Sequence, residues 1–310
     1  MIVRISNLQL QSPDKKAGAF FLTTGNEKMK IKLAIPKGKL QEEILKLLAE
    51  VGLTLQSNER NYRPLCSDPQ FEIKLLKSQN IPKLVELGQH DIGFCGLDWI
   101  AEQKADVEIL KPLGFDPVKI VACIPDNWDY DELKKRKIIV ATEYKTLSEK
   151  FLSSNGFNYK LIRSYGATEV FPPEDADMII DNTSTGTTIV ANHLKIVDTL
   201  YESSTQFIAN KNFFKNQEKM TIINDVLVLI DGVLNGRKMV LLEMNATESN
   251  IGEIVDLLPA MRSPTVSQLY NSSGFSVKAA VMRNQVKSLI PQLLKAGATD
   301  ILETAIRKAI

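Results

Sequence analysis

Cysteine is scarce in this 310-residue chain: Cys66, Cys95 and Cys123 are spaced for neither a zinc site nor a disulfide framework. A reducing compartment, the cytoplasm, is therefore expected, with the thiols packed as small hydrophobes. Net charge is equally slight, since 38 Lys and Arg face 37 Asp and Glu. No field then draws in nucleic acid or an anionic membrane, and neither partner is expected. No run approaches the roughly 18 apolar residues of a spanning helix, and residues 17–22 are too short and poorly flanked for a secretory signal. Only two histidines occur, His90 and His193, neither beside a Ser or Cys it could activate, which disfavours nucleophilic hydrolysis. A Walker A loop and a G-x-G-x-x-G turn are both missing, which argues against ordinary kinases and dinucleotide dehydrogenases.

What is present is an ordinary globular composition, 44% hydrophobic and 24% charged, at about twice the ~150 residues typical of one domain. Residues 1–28 form an N-terminal extension without an assigned role. From Met29, residues 30–36 alternate like a strand and a helix follows over 40–51, with Leu40, Ile44, Leu47 and Leu48 on one face. Residues 71–76 and 91–95 read as strands around a helix at 81–87. A second series has strands at 119–124, 137–141 and 177–180 with a helix at 147–152. This alternation predicts an α/β fold with largely parallel sheet, in two lobes facing one cleft, with any ligand at the carboxyl ends of the strands. From Arg237 the order becomes β-α-β-β-α-β, the ferredoxin-like pattern.

The run Asp177 to Thr188 carries the chemistry. Carboxylates Asp177 and Asp181 close a buried strand, and Ser184, Thr185, Gly186, Thr187 and Thr188 lead into a helix. Such a loop can present backbone N–H groups, hydroxyls and a helix N-terminus to one phosphate, with Gly186 allowing close backbone approach. Asp181 can accept from two sugar hydroxyls at once. The same residues also read as a simple helix cap. Lys37-Gly38-Lys39, on a turn after the first strand, could neutralise phosphates or be a solvated basic turn. Asp98 suits either a ligand contact or a cap for a helix starting at Trp99.

The hydroxyl run resembles the phosphoribosyl-pyrophosphate loop of the ATP phosphoribosyltransferases. The likeness extends from Met29 through Ala34 to Leu40, Gln79-Asn80-Ile81-Pro82, Gly96-Leu97-Asp98-Trp99, Ala191-Asn192, Ile208-Ala209-Asn210 and Leu257 to Thr265. It implies joining of ATP to 5-phosphoribosyl 1-pyrophosphate with release of pyrophosphate, the first and histidine-inhibited step of histidine biosynthesis. Residues 29–118 and 204–236 would form catalytic lobe I, 119–203 lobe II, and 237–310 a regulatory domain. The fold implied is a two-lobed core like periplasmic binding proteins plus a ferredoxin-like, ACT-like unit.

By the same resemblance, Asp177, Asp181 and Ser184 to Thr188 hold phosphoribosyl pyrophosphate. Lys37, Gly38, Lys39, Arg63 and Asp98 meet ATP, and Asp181, Glu169 and Lys37 serve catalysis. The family usually carries Arg at position 39, so Lys39 offers a point charge without a bidentate fork. Mg²⁺ is expected on the substrate pyrophosphate. Asn245, Met261, Ser263 and Thr265 are the implied histidine contacts, in a hexamer assembled from dimers and needing no separate regulatory subunit. Two rival readings stand beside this one: a cytoplasmic two-lobed receptor without catalysis, and a phosphoribosyltransferase for another base.

Overall fold

A computed structural model describes residues 29–56, 61–259 and 263–310. The N-terminal extension 1–28 and Met261 lie outside the described residues.

The first unit runs β1 (Ile31–Pro36), α1 (Lys39–Val51), β2 (Leu55–Gln56), β3 (Leu65–Cys66), β4 (Phe71–Leu76), α2 (Ile81–Glu86), β5 (Ile92–Gly96), α3 (Leu97–Gln103) and β6 (Glu108–Pro112). The chain then enters a second unit: β7 (Val118–Pro125), α4 (Tyr130–Lys134), β8 (Lys137–Thr142), α5 (Lys145–Ser154), β9 (Asn158–Arg163), β10 (Met178–Thr183), α6 (Thr187–Ala191) and β11 (Leu194–Ser203). It returns through β12 (Thr205–Ala209) and the 22-residue α7 (Gln217–Lys238). The last unit is β13 (Met239–Ala246), α8 (Ile251–Leu257), β14 (Thr265–Gln268), β15 (Phe275–Met282), α9 (Val286–Lys295) and β16 (Thr299–Ala305).

Among the described residues four sheets result, ordered β4-β1-β5-β12-β6, β11-β7-β10-β8-β9, β14-β15-β13-β16 and the two-stranded β2-β3. The first two are mixed where largely parallel sheet was expected. β1 pairs in parallel with β4 and β5, but β12 runs antiparallel to β5 and β6. In the second sheet β8 lies parallel to β9 and β10, while β7 is antiparallel to β10 and β11. The mixing has a topological cause: the reversed strands are those at the crossings between the units, β7, which enters the second, and β12, which returns to the first, each inserted against the direction of both its neighbours. All pairs of the third sheet are antiparallel.

Sequence dictates these layers through period. In β4 every second residue (Phe71, Ile73, Leu75) is buried, as befits a strand with one covered face, whereas β1 is buried at Leu33 through Ile35 because helices cover both sides. Helix α1 buries Ile44, Leu47, Leu48 and Val51 against that sheet and against α7. Gly52, left-handed at φ 101°, ends it by donating to the carbonyls of Leu48 and Ala49.

The 22 residues of α7 were not apparent from periodicity. Ile223, Val226, Ile230 and Val233 make the expected buried stripe, but Leu227, Leu229 and Leu234 also pack against the core, so apolar residues spread around the helix and blur its period. At its end Gly236 meets the chain terminus. A Cβ there would stand 2.9 Å from the carbonyl oxygen of Ile306, and one turn earlier the carbonyl of Gly232 accepts from the Ala309 N–H at 2.8 Å. The helix thus joins the first sheet to the C-terminal unit.

Candidate functional site

Between the first two sheets lies a cavity of about 540 Å³, and beside it a smaller one of about 210 Å³. The larger is lined by the end of β10 and the loop after it (Asp181, Ser184, Thr185, Thr188), with Glu169 and Glu143 across from them. Lys37, Asp98 and Trp99 line the smaller, and Lys39 and Asp116 border both.

β10 continues beyond the expected 177–180 to Thr183, because β7 pairs with it as far as Thr183 opposite Lys119. Asp181 therefore projects from ladder-held backbone, a more rigid mount than a loop. Its Oδ1 accepts the Asn182 N–H at 2.7 Å. Burial pushes its pKa up to about 6 against bonds from Thr168 and the Asn182 N–H, and the charges of Glu143 and Glu169 raise it further.

The loop beyond turns at Gly186, left-handed at φ 77°. No hydroxyl caps α6: Thr183 Oγ1 instead accepts the Gly186 N–H at 3.0 Å, and Thr185 and Thr187 hydroxyls bond each other at 2.9 Å. The first N–H groups of the helix thus lack side-chain partners, the arrangement that receives an anion.

Other expected residues are placed differently. Asp177 stands at the opposite end of β10, four residues and roughly 13 Å of strand from Asp181. Its carboxylate accepts from Arg136 at 2.6 Å and the Ile139 N–H at 2.7 Å, so it anchors β8 to β10 and does not line the cavity. Arg63 pairs with Glu72 at 2.9 Å and is not among the residues lining either cavity. Lys37 lies 3.9 Å above the Tyr62 ring, and Lys39 pairs with Asp116 at 2.6 Å. Gly38, at φ 101°, is the N-cap of α1 between them.

Asp98 lies inside α3 and is 4% exposed. The cap role does not occur, since Gly96 holds that position without a side-chain bond. Both Asp98 oxygens are engaged, Oδ1 by the Ser203 hydroxyl at 2.6 Å and Oδ2 by the Tyr144 hydroxyl at 2.8 Å. Tyr144 in turn accepts from Asn182 at 3.1 Å and stacks on Trp99 with centroids 4.6 Å apart. Burial, then the Asp98 charge, drives the Tyr144 pKa far up, so the phenol keeps its proton. Cys123, under Asp181, is pushed by burial to about 12 and is inert as a nucleophile.

Sequence reasoning missed Glu143, Tyr144, Asn182 and Asp116. The signal for Glu143 was available: β8 runs parallel to β10, and Glu143 follows its carboxyl end just as the hydroxyl loop follows β10. Asp116, in the left-handed region at φ 42°, carried no sequence cue.

In the third sheet Asn245 bonds Asp300 at 2.9 Å. Asn245 pairs with Ser276 and Ser276 with Ser267, two residues from Thr265, so Asn245 and Thr265 share the sheet face opposite the buried Val240, Leu242 and Met244. Ser263 is exposed just before β14.

A mixed-sheet α/β protein with an uncapped helix start and a buried carboxylate on one cavity is the class this geometry defines. A family model described as HisG: ATP phosphoribosyltransferase matches residues 77–232, and one described as HisG, C-terminal domain, matches residues 236–308. ATP phosphoribosyltransferase from Thermodesulfovibrio yellowstonii is 38% identical over 288 residues, 90% of this chain and 98% of that protein. The enzyme from Pelotomaculum thermopropionicum is 38% identical over 290 residues, 91% and 100% of the two chains. The chain belongs to the ATP phosphoribosyltransferase family, in its long form with the C-terminal domain. It is a pentosyltransferase of histidine biosynthesis, joining ATP to phosphoribosyl pyrophosphate.

Among solved structures, the ATP phosphoribosyl transferase (HisG:HisZ) complex from Thermotoga maritima contains a chain of similar fold, with TM-score 0.58 and 23% identity. The match covers 64% of this chain and 98% of that one. It corrects the expectation that no separate regulatory subunit is involved, because a chain of this fold is there assembled with a second protein, HisZ. Among the described residues, no helix is long and apolar enough to cross a membrane.

Proposed function

We propose that the cavity between the first two sheets is the site of the phosphoribosyl transfer, with the loop Ser184 to Thr188 gripping the 5-phosphate and Asp181 accepting from the ribose hydroxyls. The observation that carries this reading is the convergence of Asp181, Glu169 and the loop hydroxyls on one cavity where the N–H groups of α6 have no side-chain cap. Thr187, bonded to Thr185, holds the loop in shape. ATP enters the smaller cavity past Lys37 and Lys39, whose charges face its phosphates.

The adenine N1 lone pair forms the new bond to ribose C1 as the bond from C1 to the pyrophosphate oxygen breaks. No protein base is required. The residues act by aligning two anions and by facing positive charge at the ribose ring with Asp181 and Glu169. The carboxylates lining the cavity are the donor type that suits Mg²⁺ held together with substrate oxygens and water. When bound there, Mg²⁺ supplies positive charge to the leaving pyrophosphate.

The first two units then resemble the two lobes of periplasmic binding proteins, and the third, with its order β-α-β-β-α-β, a ferredoxin-like, ACT-like regulatory domain. Histidine binds on the exposed face of that third sheet near Asn245, Ser263 and Thr265. The three free thiols fit a cytoplasmic protein. Replacement of Thr188 by Ala tests the loop directly: the KM for phosphoribosyl pyrophosphate should rise about tenfold or more, with that for ATP within about twofold. Equal changes in both would remove the loop from this role.

A further inference from the structure

Residues 143–147, from the end of β8 to the first turn of α5, belong to the second unit yet are bonded repeatedly to the first. Gln79 donates to Glu143 Oε2 at 2.6 Å, and Tyr144 donates to Asp98 at 2.8 Å. The backbone N–H groups of Thr146 and Leu147 both donate to Glu102, at 2.9 and 3.0 Å. Gln103, next along α3, donates to the carbonyl of Gln79 and ties the first unit's side of this contact together.

The Glu102 contact has a physical reason. Tyr144 is the N-cap of α5, its side chain points to Asp98, and it makes no cap bond. The second and third N–H groups of α5 would otherwise be unmet, and a carboxylate satisfies both while facing the positive end of the helix. That carboxylate comes from the other unit.

We infer that Glu102 is a positioning residue for the phosphoribosyl transfer, acting as a cap in trans that holds the two units in the closed arrangement. Besides Glu102, the units are joined by the Gln79–Glu143 and Tyr144–Asp98 bonds, the Trp99–Tyr144 stack and two chain crossings, at residues 113–118 and 203–205. The hinge alone leaves the opening angle loose, and Glu102 narrows it. Two cleft groups move with the clasped segment: Glu143, which lines the larger cavity, and Asn182, held through the Tyr144 hydroxyl next to Asp181. Substrates that bind between the units then meet a population already closed, and a protein lacking the clasp binds them with an affinity reduced by its closed fraction. This inference rests on the assignment of the cleft as the substrate site.

The test is Glu102→Ala, read by steady-state kinetics and small-angle X-ray scattering. KM for both substrates should rise about five- to twentyfold with kcat within about threefold, because saturating substrates restore the closed form. The radius of gyration without substrates should exceed wild type and return to it when both are saturating. Glu102→Gln, which keeps an acceptor oxygen, should recover most of the lost affinity. A lowered Tm with both KM values within about twofold of wild type would mean a purely structural cap and would overturn the inference, as would loss of kcat alone. Should Glu102→Ala fail to fold, Gln79→Ala removes another member of the clasp; it should raise both KM values, and wild-type values there overturn the inference. Asp181→Asn separates the two claims: if it abolishes turnover while Glu102→Ala is silent, the clasp fails and the cleft assignment stands.

Discussion

Burial pushes the Asp181 carboxyl up to about 6, with Glu143 and Glu169 adding to the push, so the fold works against the ionised form that the proposed ribose contact needs. The folded pKa lies above the ordinary 3.8. The native state therefore holds the proton longer than the unfolded chain, and stability falls as pH climbs from about 4 through about 6. Asp181→Asn should accordingly raise the unfolding free energy by on the order of 3 kcal/mol above pH 6, a gain that shrinks towards pH 4. Urea titrations at pH 5 and pH 8 check this, and equal effects at both would refute it. The same variant should lose about a hundredfold or more in kcat, together with the acid limb near pH 6 in the wild-type kcat/KM profile. At this scale the sequence was legible in grouping Asp181 with the hydroxyl loop, which line one cavity, although Asp181 stands within β10 and not beyond its end. It misled at Asp177, whose neighbour in sequence is β10 but whose partners, Arg136 and Ile139, come from the far end of β8.

Helix α7 marks where local pattern runs out. Its buried stripe is regular, but it packs on more than one side, and the sequence alone cannot say which apolar residues face the same neighbour. Gly236 was equally silent, since its requirement comes from the Ile306 carbonyl across the helix, seventy residues later in the chain. Gly236→Val should cost about 1–3 kcal/mol by forcing that carbonyl away, measured as a shifted urea midpoint at unchanged m. A neutral result would show that the terminus yields freely. By contrast, the strands and helices of the C-terminal unit were legible nearly to their ends, because its central strands β13 and β15 alternate over one buried face.

For the molecule as a whole, the sequence indicated the succession of α/β segments but not the mixed sheets, because strand direction depends on where the chain returns rather than on composition. The C-terminal unit is fastened to α7 by the terminus as well as by β13, through Ile310 on Gly232 and the Ala309 N–H to the Gly232 carbonyl. Deleting residues 306–310 should therefore lower the Tm by several degrees and broaden calorimetric unfolding into two transitions, with kcat retained within about threefold. A single, unshifted transition would mean that the terminus contributes nothing to the union of the units.

In the proposed site, the N–H groups and hydroxyls of residues 184–188 hold the 5-phosphate beside Asp181. A crystal structure with phosphoribosyl pyrophosphate and Mg²⁺ bound tests it most directly. The 5-phosphate should lie at the start of α6, within about 3.2 Å of those N–H groups, with the ribose hydroxyls on Asp181; a donor seated on Lys37 and Lys39 with that loop empty would contradict the account.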